Sequence, residues 1–531
     1  MRRGSLLARE ATLSAVAAAS FAALLAWEGP PGTDLAAHSY QRTLFIQHGF
    51  TLWNNFWYAG RYSFVTYSVL YYPLAAKVGI RGVAVAAVAV ATLAFAVVAW
   101  REWGRAARWP SRTFGVVWAG IVLSAAFPFA LGAALALLAV WALQARAHWR
   151  FGLLAALTLA SSPLAFLLLV LVLAGVAAGK RAHLRQAAIP AALVLVLAAA
   201  EVLLWRLFPS GGRYPFSPEE LAAVCVFCAF GVVLTWRVER AAALRFVFVL
   251  YAAACVTAFA VPSAIGENIA RLRYAAIPVT LLALALRDWR PRIVCVVALG
   301  LAISWNVTPL VASFEHGVAD PGRQASYWLP ATRFLRTHLT PAYRVEAVDT
   351  PGHWAALYLP RAGIPLARGW YRQDDFPQNA VLYGALGPRA YLAWLRSLAV
   401  RYVVLTNGQP DYSARAEAHI LRGSHAPLEV AYRTRTLTIF RVPQARPLVD
   451  GGATVLRFGE SSVLLKVPRP GEYRVAVRFS PYLRPSSGCA ASTHDGMTRL
   501  SLPATGVVKL SFKVGAHEAF EALTSDADDC P

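Results

Sequence analysis

GVAVAAVAVATLAFAVVAWREWGRAARWPSR, residues Gly82–Arg112, decides the fold class. Residues 82–100 carry no charge and have about the length that a helix needs to cross hydrocarbon. Residues 101–112 then carry four arginines. Similar basic clusters lie at Arg146–Arg150, Lys180–Arg185, Arg237–Arg245 and Arg287–Arg292, each flanked by apolar segments. That is the positive-inside pattern of a membrane protein. The whole chain agrees: of 531 residues 57% are hydrophobic and 15% charged, and the mean hydropathy is +0.48, outside the range of soluble domains. The formal charge of +23 follows from these clusters, so no nucleic acid is expected as a partner.

If all five clusters are cytoplasmic, each connection between them must cross and return. The outer turns then fall at Phe127-Pro128, at Ser161-Ser162-Pro163, between Phe208 and Glu220, and between Pro262 and Arg273. Some legs, around 113–126 and 151–161, are shorter than the roughly 20 residues of a full span, as in broken or tilted helices that meet at a cavity. The opening MRRGSLLARE and its apolar run read as an uncleaved first helix, because the run is long for a signal peptide and no small-x-small site follows. With 82–100 and 293–311 the count is eleven spans. An odd count puts the N-terminus in the cytoplasm and everything after 312 outside the plasma membrane. Glu201 lies near the outer end of one span, where a lone charge costs about 2.5–3.5 kcal/mol; a functional role and snorkelling to the interface compete to explain it.

The residues after 312 are less apolar and rich in alternating runs such as YRVEAV, VRYVVLTN, LTIFRV and EYRVAVRF, which predict packed sheets. The helix-like RAYLAWLRSLAV marks the first part as α+β. The expected organisation is a transmembrane domain over 1–312 with a large first external loop at 30–80, an external α+β domain over 313–447, and a β-sandwich over 448–531. Cys225, Cys228, Cys255 and Cys295 lie in apolar spans and read as small core hydrophobes. Cys489 and Cys530 are the two cysteines of the external part, so an oxidising exterior would pair them and staple the tail SDADDC to the sandwich.

The first external loop concentrates polar chemistry in GTDLAAHSYQRTLFIQHGFTLWNNFWYAGRY, Gly32–Tyr62. Asp34, His38 and Arg42 fall on one row at i, i+4 spacing if the stretch is helical. Two readings of Asp34 stand side by side, a functional acid and a plain first-turn or N-cap residue after Pro-Gly-Thr. Trp53, Asn54, Asn55 and Tyr58 also admit two readings: an interfacial aromatic belt, or a sugar platform in which rings face the pyranose and amides take its hydroxyls.

The order D-L-x-x-H after the first helix, then W-N-x-x-W-Y-x-G and Y-Y-P-L, resembles the pyruvoyl-tetrahydropterin-synthase-related integral membrane proteins of the GT-C glycosyltransferase superfamily. PSAIGENIARLRY at 262–274 resembles that family's late outer loop, and GWYRQDDFPQN and YLAWLRSLAVRYVVL resemble the external part of actinobacterial members. The resemblance covers about residues 30–410. It implies a polytopic α-helical GT-C-like fold with an extracytoplasmic α+β region and sandwich, and transfer of a sugar from a polyprenyl-phosphate donor to an extracytoplasmic glycan, glycolipid or glycoprotein acceptor with inversion. Asp34 is the position matching the family's base, with His38 beside it. A carrier phosphate is already a good leaving group, so one carboxylate suffices.

The leaving phosphate needs positive charge where negative charge develops. Arg271 and Arg273, with Asn268 and with Arg42 in the first loop, are the candidate donors, and Arg206 and Arg213 are second choices. The alternative for the pair at 271 and 273 is ion pairing with Glu267 or anchoring at headgroups. Trp370, Arg372 and Asp374, with Gln373 and Asp375, form a candidate acceptor-sugar site, of a composition that a solvated loop shares. No cofactor is expected beyond the lipid-linked donor, and no metal, since zinc and calcium motifs are missing from the sequence. Membrane lipid is an expected partner. Two other functions compete: a non-catalytic envelope assembly scaffold of the same fold, and a lipid-linked sugar transporter or flippase. The lack of an internal repeat counts against the transporter.

Overall fold

The computed structural model describes residues 2–65, 67–181, 184–209, 211–424, 426–524 and Cys530. The acidic tail residues 525–529 lie outside the described residues. Packing divides the chain into two units: Met1–Leu35, Tyr67–Leu203 and Arg213–Val318 form one, and Ala36–Thr66, Leu204–Gly212 and Ala319–Pro531 form the other. The linear boundaries at 312 and 447 do not coincide with this division, because two short inserts from the N-terminal half pack with the C-terminal residues.

The first unit is helical. Among the described residues eight helical runs are long and apolar enough to cross a membrane, which makes the chain a multi-pass membrane protein. The expected number was eleven. The difference lies in the short legs: Arg108–Ala119 folds back on Ile80–Trp103 through the turn Gly104–Ala107, stacking Phe114 on Phe95 at 4.2 Å, but has only 12 residues, Pro163–Gly179 is apolar but short, and His148–Ser161 has 14 residues. Helices break at Ala125-Ala126 and at Ser162, next to prolines 128 and 163 that start the following helices. Ser162 caps its helix by accepting from the Ala165 amide. Glu10 pins the first helix, accepting from Arg108 at 3.0 Å and from Arg112 at 2.8 Å.

The second unit holds three larger sheets. Arg344–Ala347 and Val400–Thr406 pair in parallel, followed by Leu437–Arg441 and Glu429–Arg433 antiparallel, with helices Ala355–Arg361 and Pro388–Ser397 in the crossover of the parallel pair. A four-stranded sheet (Leu483–Pro485, Gly506–Phe512, Ser462–Val467, Thr454–Phe458) and a three-stranded one (Cys489–Ser492, Met497–Leu502, Gly471–Arg478) supply Val463, Leu465, Tyr473, Val475, Val477, Leu500 and Leu510 to one core. Alternation along Gly471–Arg478 is the reason: odd positions from Tyr473 to Val477 face that core. Cys489 and Cys530 form a disulfide, and Cys225, Cys228, Cys255 and Cys295 are free thiols.

This unit also buries a charge cluster. Arg368 donates to Glu346 at 2.8 Å and to Glu417, whose second oxygen accepts from Tyr391. Both carboxylates are fully buried. Burial pushes Glu417 up to about 7 and Glu346 well above the usual range, against the opposing pull of Arg368. A carboxyl whose folded value is raised contributes stability below its ordinary value of about 4.3, and that contribution fades as pH rises through the folded value. The unfolding free energy is therefore expected to fall between pH 5 and 8, with a slope of up to about 1.4 kcal/mol per pH unit for one proton, and the unfolding temperature to fall with it. Glu417→Gln should flatten that slope; an unchanged slope would remove Glu417 as its source. Thermal unfolding of the full chain in detergent over this pH range measures both.

Candidate active site

Asp34 is set by its neighbours in sequence. Pro30-Pro31-Gly32-Thr33 ends the first helix's connection, and the Asp34 amide donates to Ser124 O at 3.1 Å. Gly32 is required there: a Cβ would lie 2.7 Å from Ala125 Cβ and from Val122 O. Gly317, from the last helix of the unit, approaches on the other side, where a Cβ would lie 2.6 Å from Pro31 O. The connection into Asp34 is thus clamped between a helix break and a helix end.

Gly266–Ala275, holding Asn268, Arg271 and Arg273, winds as a ten-residue 3-10 helix before the α-helix Ala276–Leu286 begins. In a 3-10 helix residues three apart eclipse. Asn268 and Arg271 therefore share a row, and Arg271 Nη2 donates to Asn268 Oδ1 at 2.9 Å. The same guanidinium lies 3.9 Å from the Asp34 carboxylate and 5.4 Å from the centre of the Phe129 ring. Tyr67 hydrogen-bonds Arg271. Burial pushes the Tyr67 phenol up, more than that bond lowers it, so it is neutral at physiological pH. Acid, guanidinium, amide and phenol from three separate stretches thus meet inside the helical unit.

Arg273 falls on another row of the same helix and turns elsewhere. It pairs with Glu220 at 3.3 Å, and Glu220 also accepts from Trp305 Nε1 at 2.9 Å. Glu267, the alternative partner read from the sequence, instead accepts from the Ser217 hydroxyl at 3.3 Å. The two arginines diverge because two residues of 3-10 winding are two thirds of a turn.

Gly266 starts this segment with φ +43°, and a Cβ would lie 2.2 Å from Tyr214 O. Gly266→Ala is expected to lower stability by at least about 2 kcal/mol and to displace the Asn268–Arg271 row. Gly300→Ala, in a helix and facing open space, is the control and should leave unfolding temperature unchanged or raise it. Equal unfolding temperatures for the two variants would refute the strain.

The remaining sequence candidates belong to the second unit. His38 and Arg42 lie one turn apart on the helix Leu35–His48, and His38 is buried. Trp53, Asn54, Asn55 and Tyr58 form interior framework rather than a platform or an interfacial belt. All four are buried; Asn55 accepts from Trp53 Nε1 at 2.8 Å and donates to Gly459 O at 2.9 Å, while Asn54 donates to Tyr40 at 3.2 Å. Arg372 and Asp374 are likewise interior. Asp374 pairs with Arg61 at 2.6 Å, and Arg372 with Asp349 at 3.0 Å, His353 at 2.6 Å and Asp411 at 3.4 Å. Burial raises Asp349, but Arg372 and His353 outweigh it and hold the carboxyl well below the usual range. Trp370 is half-buried, edge-on to His353 and Tyr371. Arg206 and Arg213 are exposed. Glu201 is half-buried in its span. No group of three or more His, Cys, Asp or Glu able to hold a metal occurs among the described residues.

Sequence reasoning did not single out Tyr67 or Phe129. Tyr67 stands in an aromatic-rich stretch where nothing marks one ring from the next, and Phe129 was visible only as a neighbour of the expected outer turn at Phe127-Pro128.

Neither a protein-family model nor a curated protein matches the chain. Among solved structures it is similar to the arabinofuranosyltransferase AftD from mycobacteria, with 12% identity and a TM-score of 0.45 over 97% of this chain and 57% of that one. The R1389S mutant of AftD matches at 16% identity and a TM-score of 0.44, over 97% of this chain and 42% of that one. The oligosaccharyltransferase of Archaeoglobus fulgidus matches at 13% identity and a TM-score of 0.36, over 74% of this chain and 68% of that one. The chain spans about half the length of the AftD structures it matches.

Proposed function

We propose that the chain is an integral membrane glycosyltransferase of the GT-C type that moves a sugar from a polyprenyl-phosphate donor to an extracytoplasmic glycan, glycolipid or glycoprotein with inversion. One observation carries this reading: a carboxylate and a guanidinium from opposite ends of the helical unit, Asp34 and Arg271, lie 3.9 Å apart. In the proposed reaction Asp34 accepts the proton of the acceptor hydroxyl as its oxygen bonds to the anomeric carbon. The anomeric carbon–oxygen bond to the carrier breaks, and the phosphate leaves with the electron pair. Arg271, held by Asn268, Tyr67 and the Phe129 ring, neutralises the charge that develops on it. On this reading the N-terminus is cytoplasmic and the second unit extracytoplasmic.

The test is turnover of purified protein with a panel of polyprenyl-phosphate pentoses and hexoses, following release of polyprenyl phosphate. Arg271→Gln is expected to lower turnover by about 10²–10³-fold, as removal of a charge-stabilising donor does, and to weaken donor binding. Arg273→Gln should have a much smaller effect on donor binding, since its guanidinium is engaged by Glu220. Equal losses in the two variants would contradict the assignment. The scaffold reading has one observation in its favour, that Asp34 and Arg271 already satisfy each other as an ion pair; release of polyprenyl phosphate by no donor in the panel would support it.

A further inference from the structure

Arg344 in the second unit is fully buried, yet no carboxylate pairs with it among the described residues. Its Nη1 donates to the carbonyls of Ala476 and Leu398, at 2.5 and 3.2 Å. It thus lies over Ala476, the small residue between Arg474 and Arg478 on the strand Gly471–Arg478. Tyr473, Val475, Ala476 and Val477 belong to the sandwich core, and Arg474 and Arg478 flank Ala476 on the same strand. The result is a row of three guanidinium groups. One end is answered: Arg474 pairs with Asp495 at 2.5 Å. At the other end Arg478 Nη2 donates to the main-chain oxygen of Asp374 at 3.1 Å, while the Asp374 carboxylate is held by Arg61. The middle has no answer. Arg344 Nε and Nη2 and Arg478 Nε are buried and meet no acceptor among the described residues.

Burial, with Arg478 and Arg474 adding to it, pulls Arg344 down only to about 9, so it remains charged at neutral pH. The Phe458 ring, 4.9 Å from the guanidinium carbon, covers it without neutralising it. An uncompensated buried charge is costly enough that a counter-ion belongs beside it. We propose that Arg344 and Arg478 hold a small inorganic anion of the halide class between them. Complete closure around Arg344 suits a single-atom anion better than an oxyanion, which needs room for three or four oxygens. Arg478 is half-buried, which gives the ion its route of exchange. This site is independent of Asp34 and Arg271 and stands whether or not the chain transfers sugar.

The experiment is thermal unfolding of the full-length protein in detergent at constant ionic strength, with gluconate replaced stepwise by chloride or by bromide. The unfolding temperature of the natural protein is expected to rise by roughly 3 °C per tenfold increase in either halide above its dissociation constant. Arg344→Met should lose that response and equal or exceed the halide-free natural protein in stability, because it removes the buried charge. Arg478→Gln should weaken the response, and it decides the matter if Arg344→Met does not fold. An unfolding temperature indifferent to halide, or a response of equal size in the natural protein and both variants, as an adventitious ion would give, overturns the proposal.

Discussion

Asp34→Asn is expected to lower sugar transfer by about 10²–10⁴-fold while leaving the unfolding temperature almost unchanged. The amide keeps the shape of the carboxyl and the backbone bond from residue 34 to Ser124 O, so the clamp around Gly32 is untouched. The Asn side-chain oxygen still offers the Arg271 guanidinium, 3.9 Å from the carboxylate, an acceptor. On the proposed mechanism, what disappears is the group that takes the acceptor's proton. Asp34→Glu carries the base one methylene too far and should recover only a part of the rate. Initial rates with a saturating donor, alongside unfolding temperatures, test this; activity of the Asn variant within threefold of the natural protein would rule out Asp34 as base. If envelope assembly in cells also survives the change, the scaffold reading gains.

The second large effect concerns stability. Arg368→Met should destabilise the second unit by about 3–5 kcal/mol, since it strands Glu346 and Glu417 inside a closed interior. Protonation of both carboxyls would relieve the strain, so the loss should be greatest at alkaline pH and smallest near pH 5. The triple change Arg368→Met, Glu346→Gln, Glu417→Gln removes the charges together and should restore most of the lost stability. Unfolding temperatures at pH 5 and pH 8 for the three proteins check this. A single variant no less stable than the natural protein at pH 8 would show that the cluster is not fully closed to water.

The helical class, the broken legs and the meeting of the first loop with the late outer loop were legible in sequence, because apolar run length, basic clusters and the motifs around Asp34 and Arg271 are local signals. Three things were not. Trp53, Asn54, Asn55 and Tyr58 have the composition of a platform, and only burial against distant partners such as Gly459 shows them to be framework. Arg372 and Asp374 look like a solvated loop because their counter-charges, Asp349, Asp411 and Arg61, come from three other segments. Arg271 and Arg273 look equivalent until the winding of the helix between them is known. The number of long apolar runs is below eleven for a related reason: the basic clusters mark where the chain turns back, but the returning legs Arg108–Ala119 and His148–Ser161, with 12 and 14 residues, stay below the length of a full span.

The ten residues from Gly266 to Ala275 rise about 2.0 Å each in their present winding, against about 1.5 Å in an α-helix. Rewound as α-helix, the segment would shorten by about 5 Å, and Asn268 would no longer stand directly over Arg271. On the proposed function, the grip on a donor phosphate would therefore be written into the pitch of the backbone as much as into the side chains. A substitution far from Asp34 that merely favours the wider coil would disarm the site while every reacting residue stayed in the sequence.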